Sequence, residues 1–445
     1  MRQASHDAAS HAEGLLPFLR ERSSRRQAPQ TRRVAVVGAG IAGLSAAWAL
    51  APDNQVTLFE AGSHFGGHAN TVDITLNGQR HGVDTGFLVF NSRTYPLLIE
   101  LFRQLDIDCA ASDMSFSVQA PGLEWSGSNL NTVFAQRSNL LRPAFWQMLA
   151  DLLRFNRRCT ALALAGDDRA MAEPIGAFLD RERFGEAFRR WYLLPMVACI
   201  WSCPTRQMLE FPIGTLIRFC HNHGLLQVND RPQWYTVRGG SQRYVQRMLA
   251  DLPERRLNCP VQGIRRLADG GVELRSAHGM ERFDQLVLAT HSDQALALLD
   301  DASPAEREVL GAIRYHQNRA LLHLDHSQLP KRRAAWAAWN YEQGGREGEA
   351  VCLHYLINKL QPLPWQREVI VSLNPLREPS QVLAEFDYAH PVFDQGAIDA
   401  QLRLPQLQGQ RSTWFAGAWT RYGFHEDGLL SGLRVAQQIA ARGTP

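Results

Sequence analysis

The stretch Val34-Ala35-Val36-Val37-Gly38-Ala39-Gly40-Ile41-Ala42-Gly43 decides the fold. It opens on a short β-branched run, the composition of a parallel strand covered on both faces. Gly38, Gly40 and Gly43 follow at once, and Leu44–Leu50 reads as helix. In such a strand–turn–helix unit the first glycine permits the tight turn. The second lets a pyrophosphate approach the backbone, and the third lets helix and strand pack closely. The phosphates belong at the helix N-terminus, where free N–H groups and the helix dipole favour negative charge. This makes Ala39 and Ala42 candidate contacts with the three glycines. Gln55–Phe59 reads as the next strand, and Glu60 at its end is placed to accept from ribose hydroxyls.

Outward from that unit, Thr71–Leu76 and Gln79–Val83 flank Asn77-Gly78 as a hairpin and deliver Asp84-Thr85-Gly86. From about 91 to 230 the pattern is mainly helical, with Arg142-Pro143 opening the clearest helix. Strands resume at Val261–Arg266, Gly271–Arg275 and Gln285–Ala289, then at Val351–Ile357 and Glu368–Leu373. Thr413–Ala416 and a helix over Asp427–Ala440 close the chain.

The 445 residues are enough for two or three domains. A 45% hydrophobic and 20% charged composition excludes a mostly disordered or fibrous protein. The net charge of +3, from 47 basic and 44 acidic groups, argues against nucleic acid as a partner. Lys331 and Lys359 are the sole lysines. The seven cysteines show no zinc-ligand spacing and read as free thiols in a reducing cytoplasm, so no metal is expected. His323 and His326 in a strand-like run fall on opposite faces, which gives no metal site either. Residues 1–32, rich in arginine, serine and alanine, read as a disordered leader. No stretch reaches the roughly 18 apolar residues of a membrane span, so the chain is expected in the cytoplasm, or peripheral to the inner face of the membrane.

Glu60-Ala61 is followed after four residues by Gly66-Gly67-His68. This extension resembles the flavoprotein superfamily of amine oxidases, phytoene-type desaturases and protoporphyrinogen oxidase, in which the doublet wraps a second loop against the FAD pyrophosphate. Most relatives have arginine after the doublet, where this chain has His68. Asp84-Thr85-Gly86 resembles the segment beside the isoalloxazine ring, and Arg238-Gly239-Gly240-Ser241 the superfamily's Gly-Gly turn. Cys259-Pro260-Val261 is similar to the strand whose main chain contacts adenine. Phe283–Thr290 resembles the strand that closes the FAD domain. Phe415-Ala416-Gly417 and His425-Glu426-Asp427-Gly428 resemble the terminal strand and helix that face the flavin. The run Ala289–Leu296 and the ending Gly417–Gly428 look like a bacterial subgroup of NAD/FAD-binding proteins associated with cyclopropane fatty-acyl synthases.

The resemblance covers about 33–442 and implies a doubly wound, Rossmann-like α/β FAD domain, assembled from 33–90, 231–300 and 406–445. A mixed α+β substrate domain would come from 91–230 and 301–405. It further implies transfer of hydride to flavin N5 from an apolar substrate, with a fatty-acyl or lipid chain preferred. A primary or polyamine-like amine is the alternative, and a non-catalytic FAD-bound partner of a lipid-modifying enzyme is the third.

Catalytic candidates are fewer. His425 suits either acid–base chemistry or a backbone role at the flavin. Trp419 and Tyr422 suit a substrate cage or plain packing. Lys359 is the one lysine placed to resemble the amine-oxidase lysine near flavin N5. The Arg142–Arg158 helix, with its aromatics and arginines, suits either core packing or a membrane interface.

Overall fold

Strand β1 (Arg33–Val37), buried from Val34 onward, runs down the middle of a five-stranded parallel sheet. On one side lie β2 (Gln55–Phe59) and β3 (Glu254–Arg256). On the other lie β4 (Gln285–Leu288) and β5 (Thr413–Phe415), so the order is β3-β2-β1-β4-β5. Strand β3 has no signal in the sequence, because Glu-Arg-Arg on a sheet edge carries no apolar run. The computed structural model describes residues 12–22, 32–166, 171–201, 205–227, 231–344 and 351–442.

Helix α1 (Ile41–Leu50) is buried over its whole length, and the C-terminal helix (His425–Ala441) lies against it. Residues apolar on every side make a helix that can only sit inside. The sheet orders the chain so that β1, β4 and β5 all end beside the glycine turn, where doubly wound folds bind ligands.

A second, seven-stranded sheet is built from strands 382–392, 314–323, 370–373, 352–356, 339–342, 116–120 and 123–126, in that order. Its inner face meets α2 (Pro143–Ala165) and the other helices of residues 175–222 around one large core that includes Trp125, Phe145, Phe155 and Phe188. Pro143 at the first turn and Gly166 in a left-handed C-cap bound α2 as their backbone preferences dictate. The helix Pro96–Gln104, within the 91–230 segment expected in the substrate domain, packs instead against the C-terminal helix, and its Leu97, Leu98, Leu101 and Phe102 belong to the same core as α1.

The leader expectation is corrected in part. Residues 12–22 include a helix over Leu16–Arg22, with Leu15 and Leu19 buried in the same core as α1. Arg22 stacks on Trp48 at 3.6 Å and pairs with Asp251 at 2.9 Å. Four apolar residues within Leu15–Leu19 supply the burial that a disordered segment lacks. The rest of the leader lies outside the described residues. Among the described residues no helix is long and apolar enough to cross a membrane.

Candidate functional site

Each glycine of the first loop meets a different constraint. Gly38 has φ +99°, and a Cβ there would lie 2.7 Å from the Ala289 carbonyl. A Cβ on Gly43 would collide with the Gly38 carbonyl at 1.8 Å. Gly40 has nothing within 4 Å of where its Cβ would stand, so its backbone is bare toward the cavity. It is also the N-cap of α1, and no side chain caps the first helical N–H groups. The Gly66-Gly67 loop folds back onto this turn: Gly66 N–H donates to the Ala39 carbonyl at 2.8 Å, and a Cβ on Gly67 would come within 3.0 Å of Gly40 Cα. Glu60 accepts from Ala39 N–H (2.9 Å) and Gly62 N–H (2.7 Å), which ties both loops to the end of β2.

One continuous cavity of about 1570 Å³ runs from this cradle into the second domain. A typical small-molecule site holds about 300–1,000 Å³, so there is room for a dinucleotide and a second ligand. Gly38, Ala39, Gly40, Ala42, Glu60, Ala61, Gly66, Gly67, His68, Thr85, Gly86, Val261 and Gly417, all candidate cofactor contacts from the sequence, line it. Gly43 lies beneath, packing helix to strand.

His68 has a buried Nε2 with no hydrogen-bond partner, and its ring stacks on Tyr388 at 4.9 Å with His390 at 5.3 Å. Burial lowers the pKa of His68 to about 4 and that of His390 to about 3. The sequence quoted neither Tyr388 nor His390, although period-two spacing puts both on one face of their strand. Thr85 Oγ1 bonds the Tyr388 hydroxyl at 2.8 Å. His291, stacked on Tyr315 at 4.4 Å, closes the same wall.

His425 lines the cavity. Its ring stacks on Phe87 at 3.8 Å, and its Nε2 bonds the Tyr244 hydroxyl at 2.7 Å. Burial pushes its pKa down to about 3, which leaves a neutral imidazole and argues against a proton-shuttling role near neutral pH.

Several expected contacts point elsewhere. Asp84 is buried and turned away from the cavity, accepting from Thr71 (2.5 Å), Ser241 Oγ (2.8 Å) and Gln361 (2.7 Å), and so knits the hairpin to the Gly-Gly turn. Burial raises its pKa to about 6 against the pull of those donors. Glu426 accepts from the Leu97 and Leu98 N–H groups at 2.8 and 3.0 Å, capping the Pro96–Gln104 helix. Asp427 accepts from Phe424 N–H at 3.0 Å and faces Arg421 at 3.7 Å. A Cβ on Gly428 would press Ile41 at 2.7 Å, so this glycine serves helix contact.

Trp419 borders the cavity but donates to the Thr290 carbonyl at 3.1 Å and packs in the core with Ala35 and Phe415, away from the apolar chamber. Tyr422 does not line the cavity; its ring lies 5.8 Å from the Arg421 guanidinium. Lys359 forms an ion pair with Asp113 at 3.1 Å at a partly exposed position and does not line the cavity. Consecutive residues on a turn point in different directions, and motif spacing alone cannot say which way each side chain faces.

Beyond the cradle the wall is apolar and aromatic, with Val89, Leu152, Met196, Trp339, Tyr355 and Phe424 among its residues. Among the described residues Asp113 is its one carboxylate apart from Glu60 at the nucleotide end, and Arg231 also lines it. His223, stacked on Phe219 at 3.9 Å, is held neutral by burial, its pKa lowered to about 4. Strand alternation turns another polar group away from this chamber. His354 Nε2 lies 3.0 Å from Glu342 and 3.4 Å from Cys352 Sγ, and its Nδ1 bonds Ser372 at 2.7 Å. The three potential ligands thus satisfy one another directly.

The comparisons agree with this geometry. Residues 36–105 match the family model described as an NAD(P)-binding Rossmann-like domain. A carotenoid phi-ring synthase of Streptomyces griseus is 29% identical over 293 residues, which cover 61% of this chain and 54% of that protein. The chain therefore spans about half the length of this curated relative. Among solved structures, a protein provisionally assigned as a protoporphyrinogen oxidase from Exiguobacterium sp. 255-15 is 18% identical with a TM-score of 0.68, covering 93% of this chain and 99% of that one. A conjugated-linoleic-acid-producing fatty acid isomerase from P. acnes is 16% identical with a TM-score of 0.65, again covering 93% and 99%. Cyclohexylamine oxidase from Brevibacterium oxydans IH-35A gives 16% and 0.63 over the same shares. The chain shares the mixed α/β fold of these structures and carries a Rossmann-like dinucleotide-binding domain over residues 36–105.

Proposed function

We propose that this chain is an FAD-dependent oxidoreductase that dehydrogenates an apolar substrate, with a fatty-acyl or other lipid chain as the preferred class. The residues present fit the cofactor: the bare backbone of Gly40, the covering Gly66-Gly67 loop and the unpartnered Nε2 of His68 together suit a pyrophosphate. Glu60 would hold the ribose, and Val261 and Cys259, which line the same cavity, would border the adenine. FAD bound there supplies a two-electron acceptor, and the organic chemistry is the cofactor's own.

The observation that carries the substrate class is the chamber wall. It is built mainly of apolar and aromatic side chains, with Arg231 as a cation, and among the described residues its one carboxylate away from the cradle, Asp113, is already paired with Lys359. A cationic amine would require an unpaired acid or an aromatic cage there. An acyl chain needs neither, because burial alone contributes about 0.8 kcal/mol per CH₂. The protein's part is to exclude water and hold the chain in place, with Leu152, Met196 and Phe424 as packing surfaces. Phe87, backed by His425 and Tyr244, makes a stiff apolar floor.

The aromatic share of the wall, with Tyr95, Trp125, Tyr192, Trp339 and Tyr355, keeps amine oxidation as the second reading. Anaerobic mixing of the purified flavoprotein with lipids and, separately, with amines separates the two. Bleaching by lipid supports acyl dehydrogenation and bleaching by amines supports the second reading. Bound flavin that neither reduces favours a non-catalytic partner of a lipid-modifying enzyme.

A further inference from the structure

Large apolar side chains exposed to solvent are concentrated in one stretch of this chain. Leu130 (78%), Leu141 (87%), Trp146 (49%), Leu153 (51%) and Leu164 (74%) all fall within 35 residues. On α2, Trp146, Leu153 and Leu164 recur at seven- and eleven-residue steps, which places them on one helical stripe. A stripe of this kind that no described residue covers is unusual on a protein surface and marks a contact.

The charge of the same stretch is one-sided. Residues 126–166 carry five arginines, at 137, 142, 154, 157 and 158, against Asp151 alone. Asp151 is spent on Arg154 at 2.8 Å, and Glu182 engages Arg158 at 3.3 Å. Arg157 stands at the edge of the apolar stripe, about 20° round from Leu164 and between Leu153 and Leu164 along the helix. Apolar side chains flanked by arginines are the composition of a surface that settles into the headgroup region of an anionic bilayer.

The third observation connects this surface to the site. Leu130, Val133, Leu149, Leu152 and Leu153 line the large cavity, so the stripe forms one margin of its apolar chamber. Leu130 and Leu153 are at once cavity wall and exposed surface.

We propose that the Leu130–Leu164 face docks on an anionic lipid bilayer and that the substrate chain enters the chamber directly from that bilayer. This rests on the lipid reading above and deepens it, because it assigns the source of the chain to membrane lipid instead of a soluble carrier. The burial of long apolar tails makes release from a bilayer into water costly in proportion to chain length, and a mouth seated in the interface avoids that step.

The test is co-sedimentation of the full-length flavoprotein with vesicles of neutral phosphatidylcholine, alone or mixed with anionic phosphatidylglycerol. Two variants keep docking separate from folding: Leu141→Gln/Trp146→Gln/Leu164→Gln, and Arg142→Gln/Arg157→Gln. None of these residues lines the cavity. Wild type is expected to bind the anionic vesicles at least tenfold more tightly than neutral ones, with binding weakened by salt. The triple variant should lose at least tenfold, and the arginine variant should lose the preference for anionic lipid. Both should reduce their flavin at wild-type rates with detergent-dispersed lipid, which tests the functional reading independently. Wild type that ignores anionic vesicles, or a triple variant that binds them as tightly, overturns the docking surface. Capture of a partner protein by this face without any affinity for vesicles overturns it equally.

Discussion

The Nε2 atom of His425 lies 2.7 Å from the Tyr244 hydroxyl, while the same imidazole stacks on Phe87 at 3.8 Å. A histidine at the start of the C-terminal helix looks catalytic in the sequence, yet this one is clamped between an aromatic face and a buried phenol. Its chemistry is that of a neutral support. The rate of flavin reduction should therefore show no titration between about pH 5 and 8 assignable to this imidazole. Tyr244→Phe leaves the buried nitrogen unpaired and should cost about 1–3 kcal/mol of stability, read by thermal melting, with the pH profile unchanged. A new ionisation in the profile of the variant would contradict the assignment.

Gly40→Ala separates binding from folding. No protein atom lies within 4 Å of the added methyl, so the apoprotein should melt within about 2 °C of wild type. The methyl would occupy the approach to the bare backbone, and flavin content after purification should fall at least tenfold. Gly43→Ala should fail differently, because its methyl meets the Gly38 carbonyl at 1.8 Å and the turn itself cannot close. Equal flavin content in Gly40→Ala and wild type would move the pyrophosphate elsewhere.

Glu426→Gln tests a cap against a cofactor contact. Burial raises the Glu426 pKa to about 8. Each of its two carboxyl oxygens nevertheless accepts one N–H, from Leu97 and Leu98, an arrangement that favours the carboxylate. An amide instead offers one acceptor oxygen and an NH₂ that repels the other donor. A loss of about 1–2 kcal/mol in stability is expected, with the visible spectrum of bound flavin unaltered. A shifted flavin spectrum with unchanged stability would return Glu426 to the cofactor.

Acid should unfold this protein through its histidines. Burial lowers His68 and His223 to about 4 and His390 and His425 to about 3. The unfolded chain binds protons at these groups below about pH 6.5, while the native state refuses them until about pH 4. Their contribution is fully present above about pH 6.5 and drains away as pH falls toward 4, at about 1.4 kcal/mol per group per pH unit. The two buried carboxyls Asp84 and Glu426, raised to about 6 and about 8, oppose this loss, because they take up protons in the native state first. The apoprotein Tm should drop by at least about 5 °C between pH 7 and pH 5, and His68→Gln should soften the drop. A Tm independent of pH over that range would contradict the burial of neutral imidazoles.

The glycine loops were legible in the sequence because backbone approach constrains composition: only glycine fits at 38 and 43, and Gly66-Gly67 must lie on Gly40. The strands around them were legible for the same reason, as buried runs have a composition. The carboxylates were not. Asp84 and Glu426 sit in the right motifs, but each is turned toward backbone and hydroxyl donors from segments hundreds of residues away, at Ser241, Gln361 and Leu97. The wall around His68 was hidden because Tyr388 and His390 reach it from a strand of the other domain. Lys359 was misread because its partner, Asp113, lies 246 residues away in sequence. Local pattern reports where the chain goes, and long-range packing decides which way its polar groups face.

The most direct measurement is an anaerobic titration of the purified protein with detergent-dispersed phospholipid bearing unsaturated or cyclopropane acyl chains, followed through the visible flavin bands. The account predicts bound FAD whose bands bleach in proportion to lipid added, with a dehydrogenated chain recovered by mass spectrometry. A protein that purifies without flavin and takes up none, or flavin that amines bleach and lipids leave oxidised, would contradict it.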